Sequence, residues 1–142
     1  MGMFDTAAIS SGWPVGAIVL AGVWLGVLGA FLASFLGVVA ERLPRGESIW
    51  GRSHCACGRQ LKWYELIPVL SWAWLALAHG DRAVCCGAKV PLRYILSEGG
   101  LGLVFAGGLL IAPNVAVWAV AAVTGCVVVL GANYLAARRV AA

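Results

Sequence analysis

No Asp, Glu, Lys or Arg occurs between Asp5 and Glu41, and this uncharged run narrows the possible folds more than any other feature. Its core, residues 13–40, exceeds the roughly 20 apolar residues that one membrane-spanning helix needs. Gly16, Gly22, Gly26, Gly29 and Gly37 punctuate it. Such glycines weaken a helix in water, whereas in lipid small residues let neighbouring helices approach closely. Gly22 and Gly26 form a GxxxG pair, with a looser one at Gly26 and Ala30. A cleaved signal peptide is the competing reading. It fits badly, because the first twelve residues carry no Lys or Arg and the apolar run is too long. A retained transmembrane helix is expected.

Two more apolar stretches follow, at 94–112 and 115–137, separated by Pro113-Asn114, a turn signal between two helices. With 62% hydrophobic and 11% charged residues, the chain has too little polar side-chain material to cover a soluble domain. The expected fold is therefore an all-α integral membrane protein of about three transmembrane helices (13–40, 94–112 and 115–137), read as one domain with a loop at 41–93. Lys and Arg number ten against six Asp and Glu. All ten lie after residue 41: Arg42, Arg45, Arg52, Arg59, Lys62, Arg82, Lys89, Arg93, Arg138 and Arg139. Three spans place all of them on one side of the bilayer. That excess reads as topology and not as nucleic-acid binding. The positive-inside rule puts the loop and C-terminus in the cytoplasm and the N-terminus outside.

Within the loop, Leu66 to Ala78 (LIPVLSWAWLALA) is apolar but too short for an ordinary span. It reads as an interfacial, re-entrant or buried helix, with Pro68 in its first turn and Trp63, Tyr64, Trp72 and Trp74 suited to headgroup level. Four of the five cysteines, Cys55, Cys57, Cys85 and Cys86, form two clusters, each followed by a glycine. Four thiolates can close a tetrahedral zinc site, and cytoplasmic thiols seldom form stable disulfides. The C-x-C and C-C spacings depart from the usual C-x-x-C pairs, so His54 or His79 is an alternative ligand and free structural thiols are the alternative to zinc. Cys126 lies in an apolar run and reads as a small buried residue. Glu98, about one turn inside the second span, is the one intramembrane carboxylate and a weak catalytic candidate. Its other reading is snorkelling to pair with Arg93 or Lys89. Asp5 and Asp81, the only aspartates, are expected on opposite sides of the membrane, where they cannot form an acid dyad. No phosphate loop, Ser-His-Asp set or HExxH motif is present.

Three segments carry a resemblance: SFLGVVAERLPRGESI (34–49), SHCACGRQLKWYELIPVLSW (53–72) and CCGAKVPLRYILSE (85–98). Together they closely resemble the N-terminal domain of bacterial type IV prepilin peptidases, the leader peptidase and N-methyltransferase enzymes. The resemblance implies an inner-membrane protein that processes pilins or pseudopilins of type IV pilus and type II secretion systems. It also implies a cysteine loop linked to methylation of the new N-terminal residue, with S-adenosylmethionine as donor. The family's cleaving aspartates belong to a later domain beyond these 142 residues, so the chain is not expected to be an aspartyl peptidase by itself. A standalone methylating subunit, a support for a separate peptidase, and a non-catalytic partner module of the assembly are the readings that follow. Glu98, Glu65 or Glu41 could accept a proton or orient the amine. Departures from the family pattern are a first cysteine pair one residue short, Ala83 where the other cysteine of the second pair is expected, Gly37 for a frequent Asn, and Glu41 for a frequent Tyr.

Overall fold

The computed structural model describes residues 12–55, 57–80, 82–112 and 114–141. Asp5, Asp81 and Pro113, on which the expectations of opposed aspartates and of a Pro-Asn turn fell, lie outside the described residues. The described residues are mostly helical and include no β-strand. Among the described residues four α-helices follow in order: α1 (Val15–Arg42), α2 (Leu70–His79), α3 (Arg93–Ile111) and α4 (Val115–Ala141).

Helix α1 ends where its apolar run meets charge. Pro44 sits in the 3-10 turn Leu43–Arg45 that follows, and Gly46 closes it at φ +64, a left-handed conformation that favours glycine. The Glu47 N–H then donates to the Arg42 carbonyl. Arg42 itself reaches forward, its guanidinium donating to the Ser48 carbonyl at 2.6 Å and the Arg52 carbonyl at 3.1 Å. One side chain thus satisfies loop carbonyls and fixes how the chain leaves the helix. At the other hinge Asn114 caps α4, its Oδ1 accepting the Val117 N–H at 2.9 Å. Helix α4 continues past Arg138 and Arg139, cations that suit a helix C-terminus.

Glycine positions set the helix pairing. Cβ atoms built on α1 would meet α3 in reverse order: Tyr94 from Gly37, Leu101 and Phe105 from Gly29, Ala106 from Gly26. The two helices are therefore antiparallel neighbours. From α3 to α4, Leu101 abuts Gly125, and Phe105 packs edge-on against Trp118 with centroids 6.0 Å apart. Ala33, Leu101 and Val129, one from each long helix, form the buried core, with Leu32, Leu36, Phe105 and Cys126 packed around it. Of the GxxxG pair, Gly26 faces α3 whereas Gly22 meets nothing within 4 Å.

The bundle is inside-out by the standards of water. Val19, Val23, Trp24, Leu103, Val120 and Val127 are exposed. The stretches Val15–Arg45 and Val115–Arg139 are long and apolar enough to cross a membrane, with mean hydropathies of 2.3 and 2.4. An apolar exterior of this extent matches lipid as the solvent.

The short apolar stretch at 66–78 folds as α2, with one correction. Pro68 was expected in the first helical turn, but the helix begins after it, at Leu70. Val69 intervenes with φ +61 and ψ −49, a positive φ that β-branched residues almost never adopt. Pro68 itself is buried.

Candidate functional site: a four-cysteine lobe over a membrane-proximal cavity

The loop between α1 and α3 builds two small knuckles. In the first, residues 53–61 turn back on themselves: Leu61 N–H bonds the Ser53 carbonyl, Cys55 N–H the Arg59 carbonyl, and Gly58 N–H the Cys55 carbonyl. Gly58, at φ +83, supplies the left-handed residue that the turn needs. In the second, Ala83 N–H bonds the Ala88 carbonyl and Gly87 N–H the Ala83 carbonyl, with Gly87 at φ +67. Each cysteine pair therefore lies on a tight turn that ends in a glycine.

These turns bring the four sulfurs together. Sγ–Sγ separations are 3.2 Å for Cys55 and Cys85, 3.5 Å for Cys55 and Cys86, 3.5 Å for Cys57 and Cys85, and 3.8 Å for Cys85 and Cys86. All four lie within 4.8 Å of one another. Thiolates bound to zinc at about 2.3 Å define a tetrahedron with edges of about 3.8 Å. The donor set and its spacing thus fit a metal ion, and the four cysteines could hold one. The adjacent pair, Cys85 and Cys86, reaches the cluster from both positions, and Cys57's backbone N–H points at the Cys55 sulfur. His54 and His79, the alternative ligands, line the neighbouring cavity and are not in the cluster.

Charge is distributed unevenly among the thiols. The Arg59 guanidinium beside Cys85, followed by its hydrogen bond with Cys55, lowers the Cys85 thiol to about 6. Cys85 in turn pushes Cys55 up to about 12. Arg59 also donates to Glu65 Oε1 at 2.6 Å, and Glu65 Oε2 accepts the Lys62 N–H at 2.7 Å. Arg59 and then that N–H hold the Glu65 carboxyl below the usual carboxylate range. In metal-free protein, alkylation of Cys85 is therefore expected to rise with pH through a midpoint near 6, as the thiol ionises. Arg59→Ala should move that midpoint toward the ordinary thiol value of about 8.5. Alkylation rates at mapped Cys85 peptides across pH check this, and a midpoint indifferent to Arg59→Ala would contradict it.

A cavity of about 1160 Å³ lies beneath the lobe. Cys55, Arg59 and Cys85 belong to the lobe side; Ser71, Trp72 and Leu75 come from α2; Glu41, Tyr94 and Glu98 come from the ends of α1 and α3. Such a space takes a drug-sized ligand or a short peptide end. Its floor is tied together by contacts that span the chain. Arg93 donates to Glu41 Oε1 at 2.8 Å, the Tyr94 hydroxyl donates to the same oxygen, and the Arg93 guanidinium lies 5.1 Å from the Tyr94 ring centroid.

Glu98 is 7% exposed, and neither expected partner holds it. Arg93 is engaged by Glu41, and Glu98 Oε2 instead accepts the Val69 N–H at 2.7 Å. The carboxylate therefore anchors the strained residue that opens α2. Strain at such a φ costs about 1–3 kcal/mol and persists only where surroundings enforce it. Removing the acceptor in Glu98→Ala leaves a partly buried N–H unpaired, a loss of about 1–3 kcal/mol. Hydrogen exchange across residues 69–75 is then expected to speed up by about ten- to a hundredfold, while Glu98→Gln, which keeps an acceptor oxygen, changes it little. Equal effects of the two variants would contradict the anchoring role.

An apolar helical bundle that carries a four-thiol lobe over a cavity at its polar end defines the class: a membrane-helix protein with a metal-ready loop domain. The chain belongs to the Bacterial Peptidase A24 N-terminal domain family, which it matches over residues 27–111. It is similar to a prepilin leader peptidase/N-methyltransferase of Myxococcus xanthus (strain DK1622), 49% identical over 58% of this chain and 24% of that protein. Proteins of the same description from Dickeya chrysanthemi and Pectobacterium carotovorum subsp. carotovorum are 35% and 34% identical over 63% and 66% of this chain. The chain covers 40% and 41% of their lengths, so it spans less than half of each of these relatives. No solved structure matches it.

The Glu41–Arg93–Tyr94 set is the part of the site that the sequence reading missed. Glu41 was considered only alone, and the signal available was its place at the end of the charge-free run, where an ion pair between helix ends is to be expected.

Proposed function

We propose that this chain is an inner-membrane module of type IV prepilin or pseudopilin processing, crossing the bilayer three times through α1, α3 and α4 as one domain. The loop 41–93 and the C-terminus lie in the cytoplasm in this reading, and the N-terminus outside. One observation carries it: in a chain of this family, the cavity joins the cysteine lobe to the membrane ends of α1 and α3. A pilin whose N-terminal segment lies in the bilayer can present its new N-terminus there. Zinc on Cys55, Cys57, Cys85 and Cys86 would hold the two knuckles together as one wall of the cavity.

The relatives' description couples peptidase with N-methyltransferase, and the proposed chemistry for this module is methylation. S-adenosylmethionine would supply the methyl group. The chain's own part is to bind the pilin amine in its neutral form, align it, and take up the proton released. Glu98 and Glu41 are the carboxylates of the cavity floor suited to that proton, and apolar walls of Trp72 and Leu75 exclude water. Leader cleavage belongs to the aspartyl peptidase that this module serves.

A second reading, a non-catalytic partner in pilus or type II secretion assembly, draws on Gly16, Gly22, Gly99, Gly100 and Gly131. None of these meets another side chain within 4 Å, which leaves close-approach surfaces for a further helix. Mass spectrometry of the mature pilin N-terminus, with and without this chain beside a cognate peptidase, separates the readings. Loss of one methyl group with cleavage intact supports methylation, and loss of cleavage with methylation unaffected supports the partner role. A pilin unchanged in both respects overturns the processing reading.

A further inference from the structure

Helix α2 presents side chains both to the cavity and outward, and the two faces share an edge. Ser71, Trp72 and Leu75 turn toward the cavity. Leu70, Trp74 and Leu77, spaced at i, i+4 and i+7, form an outward stripe exposed at 65%, 67% and 89%, of which Leu70 and Trp74 also border the cavity. Trp63 and Leu66, just upstream, are exposed as well. No charged side chain interrupts residues 66–78. A stripe this apolar facing water in a chain otherwise built for lipid calls for a partner.

The depth of α2 names that partner. The Glu41–Arg93 pair marks a common level at the ends of α1 and α3. Glu98 lies five residues further along α3, about 7.5 Å deeper at 1.5 Å per residue. Because α3 runs antiparallel to α1 and Gly37 abuts Tyr94, Glu98 is level with the apolar part of α1. The Val69–Glu98 hydrogen bond therefore fixes the start of α2 below the charged rim, in the zone between headgroups and acyl chains. Ten residues is too short to cross. Charge agrees. Glu41, Glu65 and Glu98 are all engaged by donors, whereas Arg45, Lys62 and Lys89, which line the same cavity, have no ion-pair partner among the described residues.

We propose that α2 lies along the bilayer surface, with Leu70, Trp74 and Leu77 in the headgroup–acyl boundary of an anionic leaflet. Lys62 and Lys89 meet the lipid phosphates beside it. Leu70 and Trp74 line the cavity as well as the stripe, so the mouth of the cavity opens onto lipid. A ligand anchored in the bilayer then enters sideways without leaving the membrane. The inference rests on α1 crossing the bilayer and holds whether or not prepilins are the substrate.

The test is depth-resolved quenching of Trp74 in proteoliposomes of the full chain, read as the difference in emission between the wild type and Trp74→Phe. Phenylalanine at this exposed position keeps an apolar ring, so the fold is expected to persist, and unchanged circular dichroism verifies it. The Trp74 component should be lost in vesicles of acyl-brominated phosphatidylglycerol and retained with aqueous iodide. Brominated phosphatidylcholine should quench it less, and equal quenching by the two lipids would overturn the preference for an anionic leaflet. Quenching by iodide and not by bromolipid overturns the proposal outright. Protection from both quenchers overturns it too, since the stripe is then covered by protein and not by lipid.

Discussion

Purified in detergent with zinc supplied, the chain is expected to hold one zinc ion per molecule, and Cys55→Ser or Cys86→Ser is expected to hold none. The basis is geometric: four sulfurs within 4.8 Å of one another, on two turns about thirty residues apart in sequence. Little else joins those turns, because the hydrogen bonds of residues 53–61 and 82–89 are largely internal to each. Structural zinc sites in small peptides contribute about 10–16 kcal/mol of apparent binding energy near pH 7, which becomes folding energy. Chelation should therefore open the lobe to proteolysis between Gly46 and Lys89 and leave the helical bundle folded. Cys126→Ser, a substitution at the core of the bundle and away from the cluster, should keep the metal. Metal analysis of the purified variants and limited proteolysis with and without chelator read both effects. A chain with no stoichiometric metal and a lobe indifferent to chelator would leave the thiols as ordinary structural cysteines.

The second large effect is expected at Gly29. A Cβ there would stand 2.7 Å from the Leu101 carbonyl oxygen and 3.0 Å from Phe105. The nearest obstacle is backbone, which cannot swing aside as a side-chain tip can. Gly29→Leu must push α1 off α3 at the buried core beside Ala33 and Leu101, an overpacking loss of about 3 kcal/mol or more. Gly22→Leu, one heptad away on the same helix with nothing within 4 Å, should change stability by less than about 0.5 kcal/mol. Unfolding in mixed micelles, followed by circular dichroism, compares the two. Equal losses would mean that the α1–α3 pairing is not the one described.

These two predictions draw on different depths of information. The helical, lipid-compatible character of the chain was legible in the sequence, because charge is expensive in hydrocarbon and its absence from 6–40 leaves few alternatives. Family membership was legible too, since RLPRGESI, LKWYELIPVLSW and GAKVPLRY sit within the matched region 27–111. The cysteines identified themselves by residue type and clustering. Whether C-x-C and C-C spacings could bring four sulfurs together was not legible, because that depends on turn geometry at Gly58 and Gly87.

Pairing was what only the tertiary structure decided. Among several glycines in α1, nothing in the sequence separates Gly29, jammed against α3, from Gly22, which lies on the same face one heptad away and is open; where along their length the two helices come close does that. Glu98 was visible as an unusual intramembrane carboxylate, yet its partner is the backbone N–H of Val69, 29 positions earlier. Arg93 goes to Glu41 across 52 positions. Sequence reports which groups carry charge and which stretches avoid water, because transfer energies belong to residues one at a time. Contacts between distant residues depend on how helices rotate and dock, and that is settled only when the whole chain packs.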